Sequence, residues 1–432
     1  MQRPWYEGAE RGQWLALAAA LLGWTFDGFE QGVFPIVARP ALISLLQLSD
    51  HAEAAKDNSL SEGERESERQ AFEKPVRQWN GILTAAFLIG AALGGFVFGW
   101  IGDRVGRVRA MVFSVLTYAL FTGGCGLVQH VWQLMLLRFL AALGMGGEWA
   151  LGVALVMESW SAHARPVLAG LIGAAANLGF LIVSLIGTVI NPEDQWRVIL
   201  LLCVLPALMT FLFRMYVPES KQWEQTAATG PRPGLGAIFT PGLRRRSLLG
   251  AGIGAVALLA TWGAVQWIAL WVGQARPGSG VTAQICSASG AILGSFFAAV
   301  WVSRLLRRWG YALLCIMALA VCEFLFLKMD PGKSFFSFLV MVFFVGACSA
   351  AFYGWLPLYL PELFPTRVRA TGQGFCYNAG RCLAAVGVLL TTFVIDLKGN
   401  YAQPGALVCL IYVVGIVLAW FIPETKGQPL PE

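Results

Sequence analysis

Val217-Pro218-Glu219-Ser220-Lys221 and Ile422-Pro423-Glu424-Thr425-Lys426 are one segment written twice, 205 positions apart (422 − 217). Other charged positions recur at nearly the same interval. Glu158 and Arg165 lie seven residues apart, as do Glu362 and Arg369, at an offset of 204 (362 − 158). Asp103, Arg104 and Arg107 return as Ser303, Arg304 and Arg307, at an offset of 200 (303 − 103). Each segment separates long apolar runs. Duplicated charged loops between apolar runs imply two similar helical bundles, the build of a membrane transporter whose substrate site lies where the halves meet.

Composition agrees. Charged residues make up 13% of the 432-residue chain and hydrophobic residues 57%, with a mean hydropathy of +0.64. The useful count is therefore of apolar spans of about 20 residues. Twelve are expected, starting near Gln13, Trp79, Ala110, Val131, Pro166, Trp196, Ser247, Val281, Tyr311, Ser334, Ala370 and Tyr401. The predicted fold is an all-α membrane protein of two pseudo-symmetric six-helix bundles, residues 1–217 and 248–432, joined by a Gly-, Pro- and Arg-rich linker over 218–247. The first span is not read as a signal peptide, because it carries Asp27 and Glu30 and eleven spans follow.

Basic residues set the orientation. Arg104, Arg107, Arg109, Arg165, Arg244, Arg245, Arg246, Arg304, Arg307, Arg308, Arg367 and Arg369 gather on one side if both termini are cytoplasmic. The opposite loops are short and poor in basic residues, apart from a hydrophilic first loop from about Gln47 to Gln78. A multi-pass protein of the cell membrane is expected, monomeric and in contact with lipid. The net charge of +6 then reflects topology and gives no reason to infer nucleic-acid binding. Nine cysteines lie in apolar spans without CxxC spacing and read as packing residues, so neither metal nor cofactor is expected. An enzyme is not expected either, for want of a nucleophile–base pair or a phosphate-binding glycine loop. Gly90-xxx-Gly94, Gly95-xxx-Gly99 and Gly290-xxx-Gly294 signal close helix contacts.

Gly102-Asp103-Arg104-Val105-Gly106-Arg107-Val108-Arg109 resembles the signature loop of the major facilitator superfamily, and Pro218-Glu219-Ser220 and Pro423-Glu424-Thr425-Lys426-Gly427 resemble the motifs that close each half in its sugar-porter branch. The resemblance covers nearly the whole chain; the second signature loop departs from it, with Ser303 where Asp would stand. Phe26-Asp27-Gly28-Phe29-Glu30, Gly146-Gly147-Glu148-Trp149 and Glu158-Ser159-Trp160 are similar to aromatic-acid and sialic-acid proton symporters. Glu362-Leu363-Phe364-Pro365-Thr366, with Arg369, Thr371, Gly372 and Arg381, is similar to the organic-anion branch. The resemblance implies that Asp27 accepts a proton with Arg138 as its partner, and that Arg381 helps bind an anion. It also implies a cytoplasmic gate of ion pairs drawn from Asp103, Arg104, Arg107, Glu158, Arg165, Glu219, Glu362, Arg369 and Glu424.

The residues can be read independently of that resemblance. A charge in the hydrocarbon costs at least about 2.5–3.5 kcal/mol on insertion scales, so each needs a partner or a job. Asp27 and Arg138 fall at similar depth by a rise of about 1.5 Å per residue. Burial raises a carboxylate pKa and a nearby Arg lowers it, so motion that separates the two switches proton affinity; a static ion pair is the bland alternative. Glu30 shares the helix face of Asp27, and Glu148 lies deeper in span four; both are candidates for proton coupling or for lining a cavity. Arg381 sits near the middle of span eleven, and an exogenous carboxylate is the partner it suggests, with charge balance by Glu148 or Glu30 as the alternative. Its counterpart 204 residues earlier is Asn177. Gln266, Trp262, Tyr353, Trp355, Tyr377 and Asn378 complete a candidate aromatic and amide pocket. The expected function is symport of protons with a small organic anion such as an aromatic, sugar or dicarboxylic acid. A proton–sugar symporter and a non-transporting nutrient sensor are the alternatives.

Overall fold

The computed structural model describes residues 5–55, 57, 59–190, 192–205, 208, 211–212, 215–228, 234–276, 278–398 and 401–431. Its principal helices are α1 (Arg11–Leu45), α2 (Glu62–Val105), α3 (Arg107–Cys125), α4 (Val131–Ser159), α5 (Arg165–Ile186), α6 (Pro192–Leu202), α7 (Pro241–Gly263), α8 (Gly280–Trp301), α9 (Arg307–Lys328), α10 (Phe335–Tyr359), α11 (Arg369–Lys398) and α12 (Ala402–Cys409, continued by Ile411–Ala419). Ten segments, carrying α2–α5 and α7–α12, are long and apolar enough to cross a membrane. To these are added α1, which buries Asp27 and Glu30 in its middle, and α6, whose continuation runs partly outside the described residues. The result is the expected all-α fold of twelve membrane helices.

Two boundaries differ from the sequence expectation. α2 starts at Glu62, not near Trp79, and runs for 44 residues. The hydrophilic half of the first loop is thus helical. Ser61 and Glu64 form a reciprocal capping box, and Arg69 pairs with Glu73 one turn on at 3.1 Å, so local bonds extend the helix without apolar burial. The linker also carries regular structure: Lys221–Ala228 is helical and α7 begins at Pro241; residues 229–233 lie outside the described residues.

Small residues bring the helices together. A Cβ on Gly90 or Gly94 would strike the α4 backbone at Phe139 or Leu143, and one on Gly290 or Gly294 would strike α10 at Phe343 or Ala347. The other glycines of the α2 row face the opposite half: Gly95 lies against Asn378 and Gly99 against Ala370, while Gly81 meets Thr392 near the far end of α11. α2 and α11 therefore touch along their length. Across the second seam, Gly170 of α5 lies against Phe296 and Ala299 of α8. In a membrane, where apolar burial gives no drive between helices, such backbone approach supplies much of the association.

α7 is broken. Its regular turns stop at Gly263, and a 3-10 turn over Val265–Trp267 leads into Ile268–Ala275. Trp267 Nε1 donates to the Trp262 carbonyl at 3.1 Å, satisfying an acceptor at the break. The interruption sets Thr261 and Gln266 on a cavity wall.

The glycine contacts are testable. Gly94→Ala is expected to lower the melting temperature of the purified protein clearly, since overpacking costs about 1–3 kcal/mol. Gly63→Ala, in open space within α2, is expected to leave it unchanged or slightly higher. Thermal unfolding followed by size-exclusion fluorescence checks both.

Candidate functional site

Three sets of residues lie between the helices. The first is a buried charge network on the face that carries both chain ends. Arg107 Nη1 donates to Asp103 Oδ1 at 2.6 Å, and Nη2 donates to Glu158 Oε1 at 3.0 Å. Arg369, from the other half, donates from Nη1 to the same Glu158 oxygen at 3.0 Å. The side chains of Arg107, Asp103, Glu158 and Arg369 have no exposure to solvent. Asp103 also crosses the seam: it accepts from Ala370 N at 3.2 Å, from Thr371 N at 2.7 Å and from the Thr371 hydroxyl. A carboxylate there meets the free N–H groups at the start of α11.

The two halves repeat much of this chemistry internally. Glu219 caps the start of α3 by accepting from Arg107 N and Val108 N at 2.9 and 3.0 Å. Glu424 caps the start of α9 through Arg307 N and Arg308 N at 3.0 and 3.4 Å. Ser220 donates to Glu158 at 2.7 Å, and Thr425 donates to Glu362. Arg307 grips Glu362 with two bonds of 2.9 and 2.8 Å. Burial pushes the Glu219 carboxyl above the ordinary glutamate range, and backbone N–H groups of Ser220, Val108 and Arg107 pull it back.

Two expected gate residues behave differently. Arg104 lies 4.8 Å over the Trp100 ring, a cation–π contact at the rim. Arg165 donates from Nε to the Met157 carbonyl at 3.2 Å, and its electrostatic neighbours are Arg369 and Glu362. The place beside Glu158 is held by Arg107 and Arg369 instead.

The second set lies deeper in the first half. Glu30, 4% exposed, accepts from the Thr122 hydroxyl at 3.0 Å. It is the carboxylate that acts most strongly on the charge of Arg138, whose guanidinium lies 3.8 Å over Phe34 and 4.8 Å over Phe87. Glu30, one turn beyond Asp27 along α1, thus shares the electrostatic surroundings of Arg138. Asp27 is fully buried and acts electrostatically on Tyr377 of the other half. Glu148 is also near Glu30, and with Trp24 and Trp149 it lines a void of about 210 Å³.

The third set surrounds a cavity of about 600 Å³ between α5, α7, α8 and α10. Its polar lining comprises Asn177, Gln266, Gln284, Thr261, Tyr353 and two serines, Ser287 and Ser349. Asn177 donates to Ser295 Oγ across the seam at 3.4 Å, and Tyr353 donates to Thr261 Oγ1 at 2.8 Å. No charged side chain is among the described lining residues. Arg381 stands behind this wall, 2% exposed, with Nη1 donating to Asn378 Oδ1 at 2.7 Å and Nε without a hydrogen-bond partner. Asn378 in turn donates to Gly374 O and, across the seam, to Gly146 O.

The expected pocket is thus split. Asn177, Gln266 and Tyr353 line the cavity, while Tyr377, Asn378 and Arg381 form a buried cluster beside it. Trp262 presents its ring to Phe87 at 6.0 Å. Trp355 belongs to neither group: it is fully buried in the second half, stacked on Tyr359 at 4.7 Å and beside Tyr311 at 5.2 Å. Its slot in α10 is core, a fact that an apolar run without phase conceals. Gln284 is absent from the sequence expectation, although an amide inside an apolar span is a signal for it; Thr371, part of the organic-anion resemblance, gains a role there as a partner of Asp103.

The fold and site define a major facilitator transporter. The family described as "Sugar (and other) transporter" matches residues 15–229 and 245–432, and the chain belongs to it. It is 27% identical to a probable 4-methylmuconolactone transporter of Cupriavidus pinatubonensis, covering 98% of this chain and 93% of that one. It is 28% identical to a cis,cis-muconate transport protein of Acinetobacter baylyi, covering 81% and 86%. Among solved structures it is similar to the proton:xylose symporter XylE, with a TM-score of 0.75 at 17% identity over 97% of both chains.

The charge network gives an asymmetric expectation. Glu158→Gln leaves Arg107 and Arg369 short of a buried counter-charge, which costs about 3–5 kcal/mol when such pairs are broken. It should shift the gate equilibrium well over tenfold towards opening on the terminus-bearing face. Glu362→Gln, whose partners Arg307 and Thr425 belong to its own half, should shift it less. Hydrogen–deuterium exchange over residues 366–376 reads the difference; equal exchange in both variants overturns this ranking.

Proposed function

We propose that this protein couples proton entry to the uptake of a small organic anion by alternating access, with both termini cytoplasmic in a cell membrane. The observation that carries the reading is Arg381: a cation buried halfway along α11, at the meeting of the halves, with the neutral side chains of Asn378 and Tyr377 beside it and Nε without a hydrogen-bond partner. A fixed cation in the membrane interior is costly unless an anion offsets it. A guanidinium held by Asn378 is oriented to take a carboxylate through two N–H groups. The names of the muconate and methylmuconolactone relatives agree with an acid substrate.

Proton coupling is assigned to the Asp27–Glu30–Arg138–Glu148 group. Arg138 favours the ionised form of Glu30 while the two face each other, and burial favours the neutral form. Rocking of α1 against α4 changes that balance, so the carboxyl takes a proton in one state and yields it in the other. The gate of Glu158, Arg107, Arg369 and Asp103 holds the halves together on the cytoplasmic side while the cavity is served from outside. A proton–sugar symporter is the second reading, favoured by a cavity lined with three amides and hydroxyls and free of charge among the described residues.

Arg381→Ala is expected to weaken binding of a carboxylate substrate by about 3–5 kcal/mol, and Arg381→Lys to restore part of it. Unchanged affinity in the Ala variant, measured in proteoliposomes with radiolabelled acids and sugars, favours the sugar reading.

Glu30→Gln should abolish gradient-driven accumulation while leaving substrate exchange across the membrane intact, because the amide imitates a permanently protonated carboxyl. Asp27→Asn is measured alongside it. Accumulation retained in both variants removes the coupling role from α1.

A further inference from the structure

Trp149 of α4 and Tyr377 of α11 come from opposite halves and lie face to face, with ring centroids 3.9 Å apart and planes 14° from parallel. Trp24 of α1 closes the group at 6.2 Å from Trp149 and 6.3 Å from Tyr377. All three rings are buried. Arg381 lies over Tyr377, its Cζ 5.3 Å from the ring centroid. Three buried donors of this cluster, Trp24 Nε1, Trp149 Nε1 and Arg381 Nε, have no hydrogen-bond partner. Buried N–H groups are nearly always satisfied, so three orphans in one cluster point to a ligand acceptor. Trp149, Trp24 and Glu148 also line a small gap beside the stack.

Sequence and packing explain why these rings can meet. Trp149 follows Gly146 and Gly147, where α4 presses on Ala91 and Phe98 of α2. Tyr377 precedes Asn378, which reaches Gly146 across the seam. Nearby, Gly374 of α11 meets Gly95 of α2 across the seam, so the stack lies where the halves approach closely and separates as they separate. A flat molecule inserted between the rings keeps a π-face on each side; a puckered one loses both.

We propose that Trp149 and Tyr377 form an aromatic clamp that selects planar, conjugated carboxylates, with Arg381 receiving the carboxylate at the edge of the clamp. This deepens, and rests on, the organic-anion reading above. In this structure each ring covers the face of the other. Substrate entry exchanges ring–ring stacking for two ring–substrate contacts, which favours closure around a flat ligand and leaves a saturated ring of equal charge poorly held. Selectivity among acids then comes from the clamp, and the requirement for charge comes from Arg381.

The test uses matched probes that share a carboxylate and differ in planarity: benzoate against cyclohexanecarboxylate, and sorbate against hexanoate. Binding is measured on the purified full chain by scintillation proximity and competition. The conjugated member of each pair is expected to bind about tenfold more tightly. Tyr377→Leu should bring that ratio near one while moving the affinity for cyclohexanecarboxylate less than twofold, Trp149→Phe should keep the ratio, and Arg381→Lys should weaken both members equally. The ratio in the unaltered protein needs no variant and stands even if Tyr377→Leu does not fold. Equal binding within the pairs, or a ratio that survives in a folded Tyr377→Leu, overturns the clamp and leaves the anion reading intact. Failure of all four acids to bind overturns both.

Discussion

A carboxylate shared by two arginines, one from each half, anchors the terminus-bearing face. Glu158 accepts from Arg107 of its own half and Arg369 of the other through the same oxygen, out of contact with water. Removing ions from water costs several kcal/mol each, and only close pairing offsets it. The network is therefore stable as a complete set and poor in any partial form. That property suits a switch: the halves are either docked, with every charge paired, or apart, with every charge hydrated. The positions of α4 and α11, and through them of Trp149 and Tyr377, follow from that docking.

Around this junction each half carries its own copy of a scaffold. Glu219 and Glu424 cap α3 and α9, and Ser220 and Thr425 tether Glu158 and Glu362. These bonds stay within a half, so they travel with it as a rigid body. The duplication explains why a Glu recurs at each offset, which loop topology alone would not require. It also separates two tasks that look alike in sequence: Glu362 braces one bundle, whereas Glu158 joins both.

Much of this was legible before any coordinates. The repeats at offsets near 204 gave two bundles, and the glycine spacings in the second and eighth spans gave the close contacts. What failed did so for physical reasons. Asp27 and Glu30 lie three residues apart on one helix face, so sequence cannot rank their pull on Arg138; that depends on the rotation of α1 against α4. The start of α2 was missed because a capped hydrophilic helix reads as a loop when only apolar length is counted. Trp355 was misplaced because α10 is apolar on nearly every side, leaving no stripe to distinguish core from cavity. Arg381 is found by its cost in the membrane, but its bond to Asn378 and its place over the Tyr377 ring require packing information.

The two seams between the bundles are unequally fastened. On the α2–α11 side Asp103 binds the first N–H groups of α11 and the Thr371 hydroxyl. On the α5–α8 side the counterpart of Asp103 is Ser303, which donates to its own helix at Val300 O, and the counterparts of Ala370 and Thr371 are Pro166 and Val167. Proline has no N–H to give and valine has no hydroxyl, so both partners of the bond are missing at once. Among the described residues that edge is closed by the packing of Gly170 against Phe296 and Ala299, by Gly173 against Tyr353 and Gly354, and by the Asn177–Ser295 bond of 3.4 Å. The molecule is thus hung like a door, bolted by a buried carboxylate along one edge and latched chiefly by neutral contacts along the other.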